Sequence, residues 1–380
     1  MAVPSVQVPT PQIANNPADR GGPAISFRHA TTERSLQLQT TSQALTAGTQ
    51  VIEQTVDGSG FMYGIDLLVT ATAAGNVANV AFQEDAPYSA LDTIELRDVG
   101  GDIANVTGYG AHIAQVINHD YAWRDPNLSA NAALVTAVPG NVANGGTFAY
   151  AQRVPVANNR RELIGALGNQ DRAQQYQLRT ILAGSAAVYS TAPTTLPTMQ
   201  ITRMYESYTV PAPIAPNGQR QMQLPPWYGS IRFTTEALSE SSPVGGAQVQ
   251  HFVRRIANTI RWQALVGRVN GSRVTFQANL PTAILLTVGD EPIFNETSNY
   301  RMALNFERHG QVMDPGVLVY DNIHDFWPGA GNELGYDYWY TQIVQNMKYQ
   351  CNYPAGVGST NNSLRIITDD MVLRRPQLAA

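Results

Sequence analysis

The sequence predicts an all-β protein of two tandem barrels, with a few short helices in loops. Three observations lead there. Period-two hydrophobicity recurs in short segments, prolines cluster near the middle, and a weak internal repeat spans that cluster.

The alternation comes first. Ile94 and Leu96 alternate with Glu95 and Arg97, and Tyr176 and Leu178 with Gln177 and Arg179. Met199, Ile201 and Arg203 interleave with Gln200, Thr202 and Met204 less cleanly. Ile231 and Phe233 flank Arg232, Val274 and Phe276 flank Thr275, and Leu364 and Ile366 flank Arg365. Alternation sends one face of a strand to a core and the other outward. Gly100-Gly101, Asn144-Gly145-Gly146 and Asn270-Gly271 supply turns between such strands. Three stretches carry helical spacing instead: Tyr109 to Asn118, Arg160 to Tyr176, and Gly335 to Tyr349.

The prolines divide the chain. Pro211, Pro213, Pro216, Pro225 and Pro226 mark a linker over residues 209–228. It separates a first barrel (46–208) from a second (229–372), followed by a tail (373–380). Residues 1–45 form an arm, because Pro4, Pro9, Pro11, Pro17 and Pro23 each remove a backbone donor. A chain of 380 residues suits about two domains of roughly 150 residues each.

The repeat has an offset near 190 residues. Ile94 to Asn105 resembles Ile284 to Asn295, and Tyr109 corresponds to Tyr300. Phe61 is matched with Phe252, each opening an apolar run. Self-similarity of this length points to duplication of one domain.

Composition narrows the function. Hydrophobic residues make up 43% and charged residues only 14%, with net charge −5. Direct sequence-specific nucleic-acid binding is disfavoured, since phosphate neutralisation needs a dense Lys/Arg surface. Lys348 is the only lysine, and Cys351, the only cysteine, has no intrachain disulfide partner. No signal peptide or apolar run of transmembrane length is expected.

Catalytic chemistry is not apparent, and no cofactor or metal is expected. His29, His112, His119, His251, His309 and His324 show no helical metal-ligand spacing. Gly108-Tyr109-Gly110 lacks the third glycine of a dinucleotide loop. The carboxylate pairs Glu84-Asp85, Asp290-Glu291 and Asp369-Asp370 are adjacent, so their members point apart on a strand. A carboxylate pair formed across strands leaves open a two-domain glycan hydrolase. A trimeric phage receptor-binding or spike protein is a further alternative. The aromatic residues Phe326, Trp327, Tyr338, Trp339 and Tyr340 suit a core, a subunit interface or a sugar platform.

Arg153 to Gly165, with Asn169-Gln170 and Tyr176-Gln177-Leu178, resembles the approach to a late strand of the first barrel in double jelly-roll major capsid proteins. Val317-Leu318-Val319-Tyr320-Asp321 followed by Gly331 to Gly335 resembles its counterpart in the second. The family is the tectivirus–adenovirus lineage, and the likeness is greatest to coat proteins of tailless membrane-containing phages. The resemblance implies two tandem eight-stranded jelly-roll barrels. It also implies a homotrimer forming pseudo-hexagonal capsomers of an icosahedral virus shell over an internal membrane. The protein would be made in the host cytoplasm and reside in the virion, beside neighbouring capsomers and minor capsid proteins. Residues 118–146 would form an outer loop, and Arg20, Arg28 and Arg34 would meet lipid or a neighbour.

Overall fold

The computed structural model describes residues 24–56, 60–72, 80–118, 136–137, 146–158, 163–170, 176–239, 248–253, 258–269, 271–273, 281–289, 291–309, 313–321, 339–341, 346–353 and 363–373.

The first barrel has eight principal strands: β1 (Glu33–Ala44), β2 (Gln50–Val56), β3 (Gly60–Thr72), β4 (Leu91–Asp98), β5 (Gly101–Val106), β6 (Phe148–Pro155), β7 (Tyr176–Leu182) and β8 (Thr198–Tyr208). They pair as β1-β8-β3-β6 and β2-β7-β4-β5. The second barrel has β9 (Ile231–Ser239), β10 (Gln248–Phe252), β11 (Thr259–Val269), β12 (Ala283–Val288), β13 (Glu291–Glu296), β14 (Val317–Asp321), β15 (Met347–Asn352) and β16 (Ser363–Val372). Its sheets are β9-β16-β11-β14 and β10-β15-β12-β13. The two pairing schemes are identical, strand for strand. Each barrel is a jelly roll of two four-stranded sheets.

The duplicated segment is a hairpin followed by a helix in both barrels. β4 and β5 lead into α1 (Gly108–Asn118), while β12 and β13 lead into α2 (Ser298–His309). The first hairpin turns at Gly101, whose φ of 136° suits glycine. Asp98 Oδ1 accepts from the amides of Gly100 and Gly101 at 2.7 and 2.9 Å.

Inward residues fill each barrel. Ile65, Leu67, Val69, Leu96, Leu178 and Ile201 are fully buried in the first. Ile284, Leu286, Tyr349, Cys351 and Ile366 occupy the second. The barrels meet where β5 pairs parallel with β9, Ala104 against Thr234 and Asn105 against Thr235. Outer-face residues Trp262, Ala264, Val266, Val319 and Ile367 of the second barrel join the first barrel's core cluster.

Several sequence expectations are corrected. No helix runs over Arg160 to Tyr176 in its described part. Leu163 has φ of 55°, Gly165 turns, Leu167–Asn169 pairs with β3, and Tyr176 opens β7. No helix runs over the described part of Gly335 to Tyr349 either. Trp339–Tyr340 pairs with β11, and Met347 opens β15. The i, i+4, i+8 spacing of Trp339, Ile343 and Met347 is even, so it also satisfies period two. Phe61 and Phe252 are not equivalent: Phe61 is buried on β3, while Phe252 lies 60% exposed at the end of β10, the counterpart of β2.

The arm and linker are tied to the barrel. β1 lies inside residues 1–45 and pairs antiparallel with β8. Thr40 and Thr202 exchange a 3.0 Å side-chain hydrogen bond across that pairing. Phe27 is buried against Phe61 and Tyr208, with Met222, Leu224 and Tyr228 of the linker packed on the same cluster. The segments Val274 to Phe276, 119–135 and 138–145 lie outside the described residues.

Candidate functional site

A polar network lies at the seam between the barrels. α1 occupies it, and every residue of that helix is buried. The two glycines at its start permit this. A side chain on Gly108 would meet the carbonyl oxygen of Leu91 at 2.6 Å, and one on Gly110 would overlap the Glu236 carboxylate. The Gly-Tyr-Gly motif is thus a packing device at the seam.

Tyr109, between them, donates its hydroxyl to Asp314 Oδ2 at 2.9 Å and accepts from Arg273 at 2.8 Å. The Arg273 guanidinium also lies 4.8 Å from the centre of the Tyr109 ring. Burial and the nearby Asp314 push the Tyr109 phenol well up, so it stays a neutral donor. Asp85 pairs with Arg268 and, at 3.0 Å, with Arg273. Glu236 Oε2 accepts from the Thr107 amide and hydroxyl at 2.9 and 2.6 Å, while its Oε1 pairs with Arg365 at 2.8 Å. At the far end of α1, Asn118 Oδ1 accepts from Trp262 Nε1 at 3.1 Å.

Asp369 is the centre of the innermost cluster. It pairs with Arg261 at 3.0 Å and with Arg232, which reaches Ala157 O of the first barrel at 3.3 Å. A cleft of about 390 Å³ remains at the seam, lined by Asp85, Tyr109, Glu236, Val266, Arg268 and Arg365. Among its lining residues Asp85 pairs with Arg268 and Glu236 with Arg365. That chemistry is cohesive: it locks two barrels into one body.

Other candidate groups are scattered. His112 is buried and stacked on Tyr88, ring centres 3.8 Å apart. His29 Nδ1 lies 2.7 Å from Ser26 Oγ, and His309 lies 3.9 Å from Asp321. Burial pushes the His251 imidazole down to about 4. Asp370 bonds to Asn258, while its neighbour Asp369 serves the arginines, so adjacent carboxylates do diverge. Among the described residues no three His, Cys, Asp or Glu side chains gather to hold a metal.

The structure does not bring the sequence-predicted contact residues together. Arg28 is exposed on the short helix Phe27–Ala30, and Arg34 is exposed on β1; Arg20 lies outside the described residues. Trp339 is half-buried against the second barrel's core, and Tyr340 pairs its backbone with Thr259. Phe326, Trp327 and Tyr338 lie outside the described residues. The seam arginines were missed. Their one sequence signal is Arg or Asp inside apolar strands, as at Arg261-Trp262 and Asp369-Asp370.

No family model and no curated protein matches the chain. Solved structures do. The STIV major capsid protein superposes at TM-score 0.63 with 14% identity, covering 90% of this chain and 98% of its own. The fold is that of the double jelly-roll major capsid proteins. The PBCV-1 virus capsid protein matches at 0.61 with 14% identity, over 90% of this chain and 94% of that one. The major capsid protein P2 of bacteriophage PM2 matches at 0.52 with 10% identity, over 90% and 98%. Coverage on both sides means the double jelly roll here is whole, both barrels included, with shared fold and divergent sequence.

Proposed function

We propose that the chain is the major coat subunit of an icosahedral virus shell, residing in the virion. The observation that carries this is the double jelly roll itself. Two barrels of identical topology are fused through one parallel strand pair, and solved capsid proteins match the whole unit. A body with two near-equivalent barrels becomes a six-barrelled, pseudo-hexagonal tile when three copies join. The subunit is a homotrimer, and capsomers of this kind meet neighbouring capsomers and minor capsid proteins. The role is structural, without catalysis. The ion pairs of Asp85 with Arg268 and Arg273 cross between the barrels.

Arg28 is exposed on the short helix before β1, and Arg34 is exposed on β1 itself. These two arginines, with Arg20 of the arm, supply positive charge for anionic lipid of an internal membrane or for a neighbouring capsomer. No helix among the described residues is long and apolar enough to cross a membrane.

Light scattering on the purified full chain, followed by negative-stain imaging, tests the coat reading. Trimers of hexagonal outline, or shells, are expected. A monomer at all concentrations overturns it.

A further inference from the structure

Arg203 brings a positive charge into the wall of the first barrel, away from the seam. It lies on β8 between the inward residues Ile201 and Tyr205 and is fully buried. Its Nη1 donates to Thr41 Oγ1 at 2.9 Å. Its Nε and Nη2 are buried and have no acceptor among the described residues. Other buried arginines meet carboxylates: Arg153 meets Asp66 and Glu206, and Arg232 and Arg261 share Asp369. A guanidinium carries five N–H donors and accepts nothing. Burying one without a counter-charge is costly.

The backbone is irregular at the same place. β1 and β8 pair in register from Glu33 to Gln37 and again from Thr40 to Ala44. Between those runs Leu38 and Gln39 of β1 oppose the single residue Arg203. This two-against-one count is a β-bulge, which bends a strand and re-aims nearby side chains. The bulge falls on the side of the barrel where β1 ends one sheet and β2 ends the other. A side-chain contact crosses that gap: Gln54 Nε2 of β2 donates to Thr41 Oγ1 at 3.2 Å.

Thr41 completes the pattern. Its oxygen accepts from both Arg203 and Gln54, so its own hydroxyl proton is left to donate. Arg203 Nε, Arg203 Nη2 and the Thr41 hydroxyl are thus donors around one buried charge. Thr41 and Gln54 are half-buried, which puts the gap between β1 and β2 within reach of solvent.

We propose that Arg203 and Thr41 hold a small inorganic anion, of halide size, in the gap between β1 and β2. A halide accepts hydrogen bonds from any direction and brings the missing negative charge. The full cover over Arg203 limits the occupant to a small ion. Bound there, it clips β1, the strand that continues from the arm, to β2 on the barrel's open side. The site does not depend on the coat reading.

Chloride and bromide are the probes, used on the full chain, with bulky gluconate holding ionic strength constant. Above the chloride dissociation constant, each tenfold increase in chloride should raise the wild-type folding equilibrium constant about tenfold per chain. Urea denaturation reads this change. Arg203→Met should lose the response and Thr41→Val should weaken it, both variants being checked for folding by circular dichroism. In gluconate alone Arg203→Met is the more stable chain, and its advantage narrows as chloride is added. Bromide soaked into wild-type crystals should give an anomalous peak beside the Arg203 guanidinium. That map needs no variant, so it decides the matter even if a variant fails to fold. A wild type indifferent to chloride, an equal response in Arg203→Met, or no bromide peak at Arg203 overturns the proposal.

Discussion

Asp369 accepts a 2.9 Å hydrogen bond from Arg232 Nε, with both side chains no more than 2% exposed. Arg261 pairs with the same carboxylate from the adjacent strand at 3.0 Å. Asp369→Asn removes a charge that offsets two buried guanidiniums. Breaking a buried pair from one side costs about 3–5 kcal/mol. Urea denaturation should show a loss of that order. A loss below about 1 kcal/mol would mean that the arginines are solvated in the native protein.

The seam has a second sensitive point at Gly110. A methyl group there would strike the Glu236 carboxylate, which bridges Thr107 and Arg365. Gly110→Ala should cost about 1–3 kcal/mol, the usual range for overpacking. Gly110→Ala combined with Glu236→Ala should cost less than the sum of the two single variants. Strict additivity in that double-mutant cycle would refute the clash.

Much of the fold was legible in the sequence because strand alternation is local. Ile94 to Arg97, Tyr176 to Arg179 and Leu364 to Ile366 all lie on strands, and the Ile94–Asn105 repeat marks two equivalent hairpins. α1 was also legible. α2 was not, since Tyr300 and Phe306 face outward and its buried face carries Arg301, Asn305 and His309. Polar residues on the inner face erase the hydrophobic period that identifies a helix. The seam was illegible for a different reason. Its partners are far apart in sequence, as with Tyr109 and Asp314, and no local pattern reports on such a pair.

His251 makes stability depend on pH. It is 1% exposed on β10, and burial lowers its imidazole to about 4, below the usual value near 6.5. Between those values the unfolded chain binds a proton that the folded chain refuses. Its contribution is therefore complete above pH 6.5 and is lost as pH falls toward 4. The loss should be no more than about 3 kcal/mol, given ~1.4 kcal/mol per unit. His251→Gln should flatten this part of the stability profile. An unchanged slope would show that other groups set it.

Arg203 gives the opposite expectation from removing a charge. It points into the first barrel beside Ile201 and Tyr205, fully buried, and its Nη1 donates to Thr41 Oγ1 at 2.9 Å. A neutral hydroxyl does not offset a guanidinium, and burial lowers its pKa. Holding a charge in such a place costs several kcal/mol. Methionine has a similar length and no charge to desolvate, and it adapts to irregular space. Arg203→Met should raise the unfolding free energy by about 1–4 kcal/mol, the gain known when buried ionic groups become apolar. Chemical denaturation of the assembled protein and of a monomeric variant separates two causes. A gain in both assigns the cost to the barrel interior. A loss in both would mean that the guanidinium has a counter-charge in solution.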